Sequence, residues 1–172
     1  MKILLYCKHS YSFGILRPLE LAARRAGHEL LWYVDPDIYG KFPFCASSTA
    51  TGSLAEAHAW HPDAVFVPGN AVPPTLRGVK VQVFHGFNVQ KRDSARGHFR
   101  VRGLFDLYCT QGPATTTPFR ELAAREGHFA VAGHAFGVGA IQRQAGEELG
   151  GHAPALAGVV RAARRARGPG GG

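Results

Sequence analysis

A histidine and two cations lie close together in the middle of the chain, directly after an apolar segment. His85 follows residues 80–84 and precedes Gly86, and Lys91 and Arg92 come six and seven positions after the histidine. An imidazole titrates near neutral pH, so His85 can act as a general base toward a hydroxyl nucleophile. The two cations would offset the charge of a transferring phosphate, and the glycine permits a tight backbone path. A structural histidine hydrogen-bonded to its own loop fits the same spacing.

A second set of polar residues follows two other apolar segments. Lys8 and His9 come directly after the first of them, with Ser10 and Ser12 just beyond, and Asn70 follows a later one. Ligands of open α/β sheets bind at the carboxyl ends of the strands, where loops converge. We therefore expect His9 and Asn70 to help bind the substrate, with His9, beside Ser10 and Ser12, at a place where a phosphate could bind. Ordinary loop residues would look the same in the sequence.

The remaining histidines and the cysteines lack the spacing of metal ligands. The chain has nine histidines, with no H-x-H and no pair four residues apart, and three widely separated cysteines, Cys7, Cys45 and Cys109. An odd number of cysteines without a C-x-x-C motif argues against a disulfide framework and against a zinc knuckle. We expect no metal and no cofactor.

The charge and hydropathy of the chain limit its partners and its location. The formal net charge is +8, which favours phosphates or other acidic partners. A basic cluster at 161–167 would suit a nucleic-acid arm or a disordered tail equally well, and nucleic acid is not the expected partner. A short apolar amino terminus without a cleavage site, and no run of 18 apolar residues, predict a cytoplasmic protein.

The elements that must position these residues alternate between strands and helices. Short apolar runs predict buried strands, and the longer segments between them have helical spacing. The pattern predicts an α/β fold with a Rossmann-like, open, mostly parallel sheet and flanking helices. Residues 35–52 are expected to form one long loop, and 69–78 are too short for a crossover helix. The predicted strands are 2–7, 28–34, 64–68, 80–84, 107–110 and 128–132.

Three helices are predicted from periodicity and from their end signals. The first spans 13–27, with Pro18 in its first turn and Gly27 at its stop. The second runs from Ser53 to residue 60, with Glu56 completing a capping box and His61-Pro62 ending it. The third spans 115–125, capped by Thr115 or Thr116 and ended by Gly127. Trp32, Tyr33 and Phe66 fall inside strands and are expected to pack in the core.

The composition changes near residue 133. Residues 134–172 contain no Lys or Asp and are rich in Ala, Gly and Arg, closing in Gly168-Pro-Gly-Gly-Gly. We therefore expect one Rossmann-like domain over 1–133 and a tail over 134–172 that is partly helical or disordered.

Several motifs together resemble one enzyme family. They are V-K-V-Q-V-F-H-G at 79–86, Lys91-Arg92, G-L-F-D-L-Y-C-T-Q-G at 103–112 and V-A-G at 131–133. This set is similar to the His-Gly, Phe-Asp and V-x-G elements of the CDP-glycerol glycerophosphotransferases, with Phe87-Asn88 where that family commonly has Thr-Pro. The resemblance covers residues 1 to about 133.

The resemblance implies a two-domain GT-B architecture of which this chain would be the amino-terminal, acceptor-side half. His85 would activate an acceptor hydroxyl to attack the β-phosphate of a CDP-alditol, with release of CMP. Gly86 and Lys91 would occupy the other matching motif positions. The chain alone would be inactive, because the CDP-alditol donor would bind only through a second domain that this sequence does not contain.

The same resemblance implies the partners of the chain and leaves two alternatives open. The acceptor would be a phosphorylated polyol or a glycan in teichoic-acid or capsule synthesis, with peripheral contact to the inner face of the plasma membrane. An uncovered domain face would favour a partner chain or self-association. The alternatives are a non-catalytic remnant that binds a phosphorylated acceptor or an anionic membrane face, and the product of an interrupted gene.

Overall fold

The computed structural model describes residues 1–83, 103–110 and 112–132, which form one open sheet with helices on both faces. Its seven strands are all parallel and follow the order β3-β2-β1-β4-β5-β6-β7. The fold is therefore α/β and Rossmann-like, as predicted. The strands are β1 (Lys2–Cys7), β2 (Glu29–Val34), β3 (Ala50–Thr51), β4 (Ala64–Val67), β5 (Val79–Gln82), β6 (Leu107–Cys109) and β7 (Ala130–Ala132).

Both faces of the sheet are buried because the central strands are apolar on both sides. Alternate residues of β1 point to opposite faces: Leu5 packs in one core cluster and Leu4 in the other. The first cluster also contains Leu16 from helix α1 (Ser12–Arg25), and the second contains Phe119 from helix α4 (Pro113–Glu126). Trp32, Tyr33 and Phe66 are buried in these clusters, which confirms their predicted core role.

Helix α1 begins earlier than predicted. It starts at Ser12, so Pro18 lies in the second turn and not in the first. Proline has no backbone N–H, so the hydrogen bond that residue 18 would donate to the Gly14 carbonyl is missing. The helix continues past Pro18 because its apolar face packs in the core. The stop is as predicted: Gly27 adopts a left-handed backbone with φ of 73°.

The segment 35–52 is not the single loop that its composition predicted. Asp35 caps a short helix, α2 (Pro36–Tyr39), by accepting from the backbone N–H of Asp37 at 3.2 Å. Further on, β3 pairs with β2, with Trp32 opposite Ala50. The aromatic residues between α2 and β3 pack on the ring of Trp32 and hold this segment against the sheet. The centroid of the Trp32 ring lies 5.2 Å from that of Phe42 and 5.8 Å from that of Phe44.

Helix α3 (Leu54–Ala59) has the predicted N-cap but not the predicted reciprocal bond. The Ser53 hydroxyl accepts from the N–H of Glu56 at 3.3 Å. The backbone N–H of Ser53 donates to the Thr51 hydroxyl at 2.9 Å, and this hydroxyl donates to the Glu56 carboxylate. Thr51 from β3 therefore bridges the two halves of the capping box. His61, with φ of 52°, follows the helix end as predicted.

Helix α4 begins at Pro113, two residues before the predicted cap. Thr115 and Thr116 lie inside its first turn, and both hydroxyls donate to the Gly112 carbonyl at 2.9 Å. The predicted caps were wrong because a proline is well suited to the first helical position. The predicted stop is confirmed, since Gly127 is left-handed with φ of 70°.

The connection between β4 and β5 contains no helix, as its length predicted. It closes through Gly78, whose φ is 89° and where a Cβ would lie 2.5 Å from the Pro62 carbonyl oxygen. Only glycine fits this close approach. Within the described ranges, no helix is long and apolar enough to cross a membrane.

Candidate functional site

The described part of the chain has a cavity at the point where the sheet changes its direction of growth. From β1 the chain adds β2 and β3 on one side, then returns to place β4 on the other side of β1. The loops that leave β1 and β4 start side by side at one edge of the sheet and then lead to opposite faces, since Leu16 and Leu76 lie in different core clusters. Crevices at such switch points are the usual ligand sites of open α/β sheets. The cavity measures about 300 Å³ and is lined by Tyr6, Lys8, His9, Tyr11, Ser12, Val67, Gly69, Asn70 and Ala71.

The cavity brings together two residues that the sequence predicted as substrate-binding. His9 lies in the loop after β1 and Asn70 in the loop after β4, and both line the cavity. The His9 backbone is held in place, because its carbonyl accepts from the N–H of Ser12 at 2.9 Å and from the Cys7 thiol at 3.3 Å. Its ring stacks on Tyr11 with centroids 5.4 Å apart.

Asn70 is held from the neighbouring strand by a buried glutamine. Gln82 on β5 is only 3% exposed, and its amide nitrogen lies 2.7 Å from the Asn70 side-chain oxygen and 3.0 Å from the Gly69 carbonyl. A buried polar side chain inside an apolar strand requires such partners. Gln82 thus ties the loop after β4 to the core.

A tyrosine at the end of β1 forms part of the cavity wall as a neutral phenol. Burial, then the neighbouring Tyr33, then the charge of Asp35, raise the pKa of Tyr6 to about 12. Its ring stacks almost parallel on Tyr33 at 4.8 Å. Tyr6 therefore keeps its hydroxyl proton at neutral pH and can donate a hydrogen bond to a ligand.

The cysteines at the strand ends are not nucleophiles. Burial raises the pKa of the Cys7 thiol to about 11 and that of Cys109 to about 12. The thiolate is the reactive form, so both thiols are inert at neutral pH. In the ranges that the structure describes, no three His, Cys, Asp or Glu side chains are grouped closely enough to hold a metal ion.

Four predicted site residues lie outside the described residues: His85, Gly86, Lys91 and Arg92. Their roles stay predictions. The strand that precedes them, β5, is parallel to β4, so its carboxyl end lies at the same edge of the sheet as the cavity.

Neither a protein-family model, nor a curated protein, nor a solved structure matches this chain.

Among the cavity and supporting residues that were not predicted from the sequence, three have polar side chains: Tyr6, Tyr11 and Gln82. Tyr6 lies inside a strand and has the pattern of a core residue, and Tyr11 has the pattern of a loop residue. Gln82 carried a usable signal, because a glutamine in the middle of an apolar strand needs a buried hydrogen-bond partner.

The cavity suits a small anionic ligand. Among the described residues that line it, Lys8 is cationic and none is acidic, and the nearby carboxylate of Asp35, which acts on Tyr6, opposes this charge. The amino terminus of α1 adjoins the cavity through Ser12, but the N–H groups of Ser12 and Phe13 already donate to the carbonyls of His9 and Ser10, at 2.9 and 3.2 Å. The positive charge of the described lining therefore comes mainly from Lys8.

Proposed function

We propose that this chain is the acceptor-side domain of a phosphotransferase similar to the CDP-glycerol glycerophosphotransferases. The observation that carries the proposal is the cavity between the ends of β1 and β4, where Lys8, His9 and Asn70 meet. The acceptor is a phosphorylated polyol or the phosphorylated end of a glycan. The parallel Rossmann-like sheet is compatible with one half of a GT-B architecture, and the net charge of +8 favours an anionic acceptor.

In the proposed reaction the acceptor hydroxyl attacks the β-phosphate of a CDP-alditol. His85 accepts the hydroxyl proton, the new oxygen–phosphorus bond forms, and the bond to the CMP phosphate breaks. CMP leaves with the electron pair of that bond, and the alditol phosphate becomes a phosphodiester on the acceptor. Lys91 and Arg92 offset negative charge on the transferring group. The donor is held by a second, donor-binding domain.

The proposed cellular role is the extension of a cell-surface polymer at the inner face of the plasma membrane. The formal net charge of +8 supports peripheral contact with anionic lipid. Liposome co-sedimentation tests this part separately: binding to anionic vesicles that is lost at high salt supports it, and equal recovery with neutral vesicles contradicts it.

The acceptor site is tested by isothermal titration of the chain with sn-glycerol 3-phosphate, with glycerol as the uncharged probe. We expect binding of the phosphate ester only. Lys8→Ala should weaken it by about two- to fivefold at low salt, the range for an exposed ion pair, and less at high salt. Lys41→Ala is the matched control, since Lys41 is exposed and does not line the cavity. Equal loss in both variants would contradict a specific site.

The chemistry is tested by CMP release from CDP-glycerol and CDP-ribitol, with and without a donor-binding domain supplied as a separate polypeptide. His85→Ala should lower turnover by roughly 10²–10⁴, the usual range for a general base. Unchanged turnover would make His85 a structural residue. Binding of sn-glycerol 3-phosphate without any CMP release would support the second candidate, a non-catalytic domain that binds phosphorylated acceptors at the same cavity.

A further inference from the structure

The hydroxyl of Tyr6 is a polar group without a partner at the wall of the cavity. The residue is 6% exposed, and its hydroxyl makes no hydrogen bond to a described residue. Among the described side chains, the fully buried polar atoms that lack a partner are ring nitrogens of His28 and Trp32. The Tyr6 oxygen is not one of them, so it is open to the cavity that Tyr6 lines. A polar group in such a position requires a partner that the described residues do not supply.

The position of this hydroxyl is fixed by the packing of its ring. Tyr6 lies opposite Tyr33 in the β1–β2 pairing, and the two rings stack with centroids 4.8 Å apart and an interplanar angle of 8°. The Tyr6 ring belongs to the core cluster that also contains Val65 and Val67 from β4. Close packing restricts a buried side chain to one rotamer. The hydroxyl is therefore held in place before a ligand binds, which lowers the entropic cost of binding.

The surroundings of Tyr6 favour an uncharged ligand group over an anionic one. Burial first, then Tyr33 and the carboxylate of Asp35, raise the pKa of the phenol to about 12. The backbone N–H of Asp35 donates to the Cys7 carbonyl at 2.9 Å, which holds Asp35 beside the end of β1. The same burial and the same negative charge oppose a ligand oxyanion next to the phenol. An alcohol hydroxyl carries no charge, and it can donate to a phenol or accept from it.

We propose that Tyr6 is a specificity-determining residue that binds a hydroxyl group of the polyol, while the Lys8 ammonium attracts the phosphate. Both residues line the same cavity. A ligand without hydroxyl groups would displace water from the phenol and leave it unpaired, and sites that hydrogen-bond a substrate hydroxyl reject analogues that lack it. This inference rests on the proposed function, and it narrows the ligand to polyol phosphates as opposed to phosphate esters of simple alkyl chains.

The test compares the affinities of wild type and Tyr6→Phe for sn-glycerol 3-phosphate and for n-propyl phosphate, measured by isothermal titration. The second probe has the same phosphate ester and chain length but no hydroxyl groups. The wild type should bind sn-glycerol 3-phosphate at least about fivefold more tightly, because n-propyl phosphate leaves the phenol unpaired. Tyr6→Phe should weaken sn-glycerol 3-phosphate by about two- to tenfold, the effect of one neutral hydrogen bond, and should bind n-propyl phosphate no more weakly than the wild type.

Tyr33→Phe is the matched control, because it removes the same atom from the other ring of the stacked pair. Tyr33 is 7% exposed and is not among the residues that line the cavity. We expect its affinity for both probes to equal that of the wild type. A disturbed stack would affect both variants, whereas the loss of a ligand contact affects only Tyr6→Phe.

The outcomes separate this inference from the proposed function. If the wild type binds sn-glycerol 3-phosphate and Tyr6→Phe binds it equally well, the specificity role is wrong and the acceptor site stands. The same conclusion follows if Tyr6→Phe weakens both probes equally, since the phenol would then bind the phosphate, or if Tyr33→Phe has the same effect as Tyr6→Phe. If the wild type binds neither probe, both the inference and the proposed function are wrong. The wild-type comparison covers a variant that does not fold: equal affinity for the two probes overturns the inference by itself.

Discussion

Glu20 joins helix α1 to the loop that follows α2, and its replacement by glutamine should destabilise the chain. The Glu20 side chain is 0% exposed and pairs with Arg17 and Arg24, which are 26% and 42% exposed. Arg17 also donates to the Ser48 hydroxyl at 2.9 Å and stacks on the ring of Phe44 at 4.4 Å. The carboxylate thus orients a cation that fastens the loop over the aromatic cluster.

The magnitude follows from the burial of the three partners. Leaving a buried charge without its partner costs about 3–5 kcal/mol, but both arginines reach solvent and recover hydration. The applicable figure is that for hydrogen bonds to a charged group, so Glu20→Gln should lower the free energy of unfolding by about 2 kcal/mol at pH 7. For a chain of this size that corresponds to about 4–8 °C in Tm.

The effect should depend on pH with a defined sign. Burial alone would raise the pKa of Glu20, but hydrogen bonds from Ser48, Arg24 and Arg17 outweigh it, and the pKa is lowered. A carboxyl whose pKa is lower in the folded state stabilises the fold above its unfolded pKa, which is about 4.3 for glutamate. That contribution disappears as the pH falls through the folded pKa. Wild type and Glu20→Gln should therefore converge in strongly acidic buffer.

The assay is urea unfolding of wild type and Glu20→Gln at a series of pH values from 7 downward. Glu121→Gln is the control, since Glu121 is exposed on α4 and should change stability little at any pH. A Glu20→Gln deficit that is the same at all pH values would refute the ionic account and leave only a packing defect. No deficit at pH 7 would show that the network contributes nothing to the fold.

Two further predictions concern the backbone and the thiols. Gly78→Ala should lower the free energy of unfolding by more than about 2 kcal/mol, because φ is 89° and the new Cβ would lie 2.5 Å from a backbone oxygen. Gly14→Ala is the control: a Cβ there meets nothing within 4 Å, so the free energy of unfolding should stay the same or rise. Thermal unfolding of both variants measures the difference. A native thiol assay should label only Cys45 rapidly, because it is exposed while Cys7 and Cys109 are buried with raised pKa values. Fast labelling that persists in Cys45→Ser would contradict this.

The sheet could be predicted from the sequence because its strands are short apolar runs bounded by turn residues. All six predicted strands are present, although β7 begins at Ala130, two residues later than expected. The seventh strand, β3, could not be predicted, since two residues carry no periodicity. It forms through contacts that only the folded chain supplies, namely its pairing with β2 and the Thr51 bridge to α3.

Part of the candidate site could be predicted for a different reason. His9 and Asn70 are 61 positions apart and each follows a strand-like segment, and the rule that loops at carboxyl ends converge was enough to select both. What the rule could not give is the strand order. His9 meets Asn70 only because β1 and β4 are neighbours, which follows from the chain returning across β1 after β3.

The strand order also determines how the two parts of the proposed site relate. The cavity belongs to β1 and β4, whereas the proposed base follows β5, and a single site requires the carboxyl ends of all three strands at one edge. The β1–β4 and β4–β5 pairings are both parallel, so the carboxyl ends of the three strands do lie at one edge of the sheet. Gln82 at the end of β5 hydrogen-bonds directly to Asn70, so a substitution in β5 should change affinity at a cavity formed by the other two strands. Gln82 also donates to the carbonyl of Gly69, another lining residue, at 3.0 Å, so the end of β5 is joined to the cavity wall at more than one described position. If Gln82→Met lowers the affinity for phosphate, the ends of β4 and β5 act together in binding; unchanged affinity would mean that β5 does not contribute to binding at the cavity.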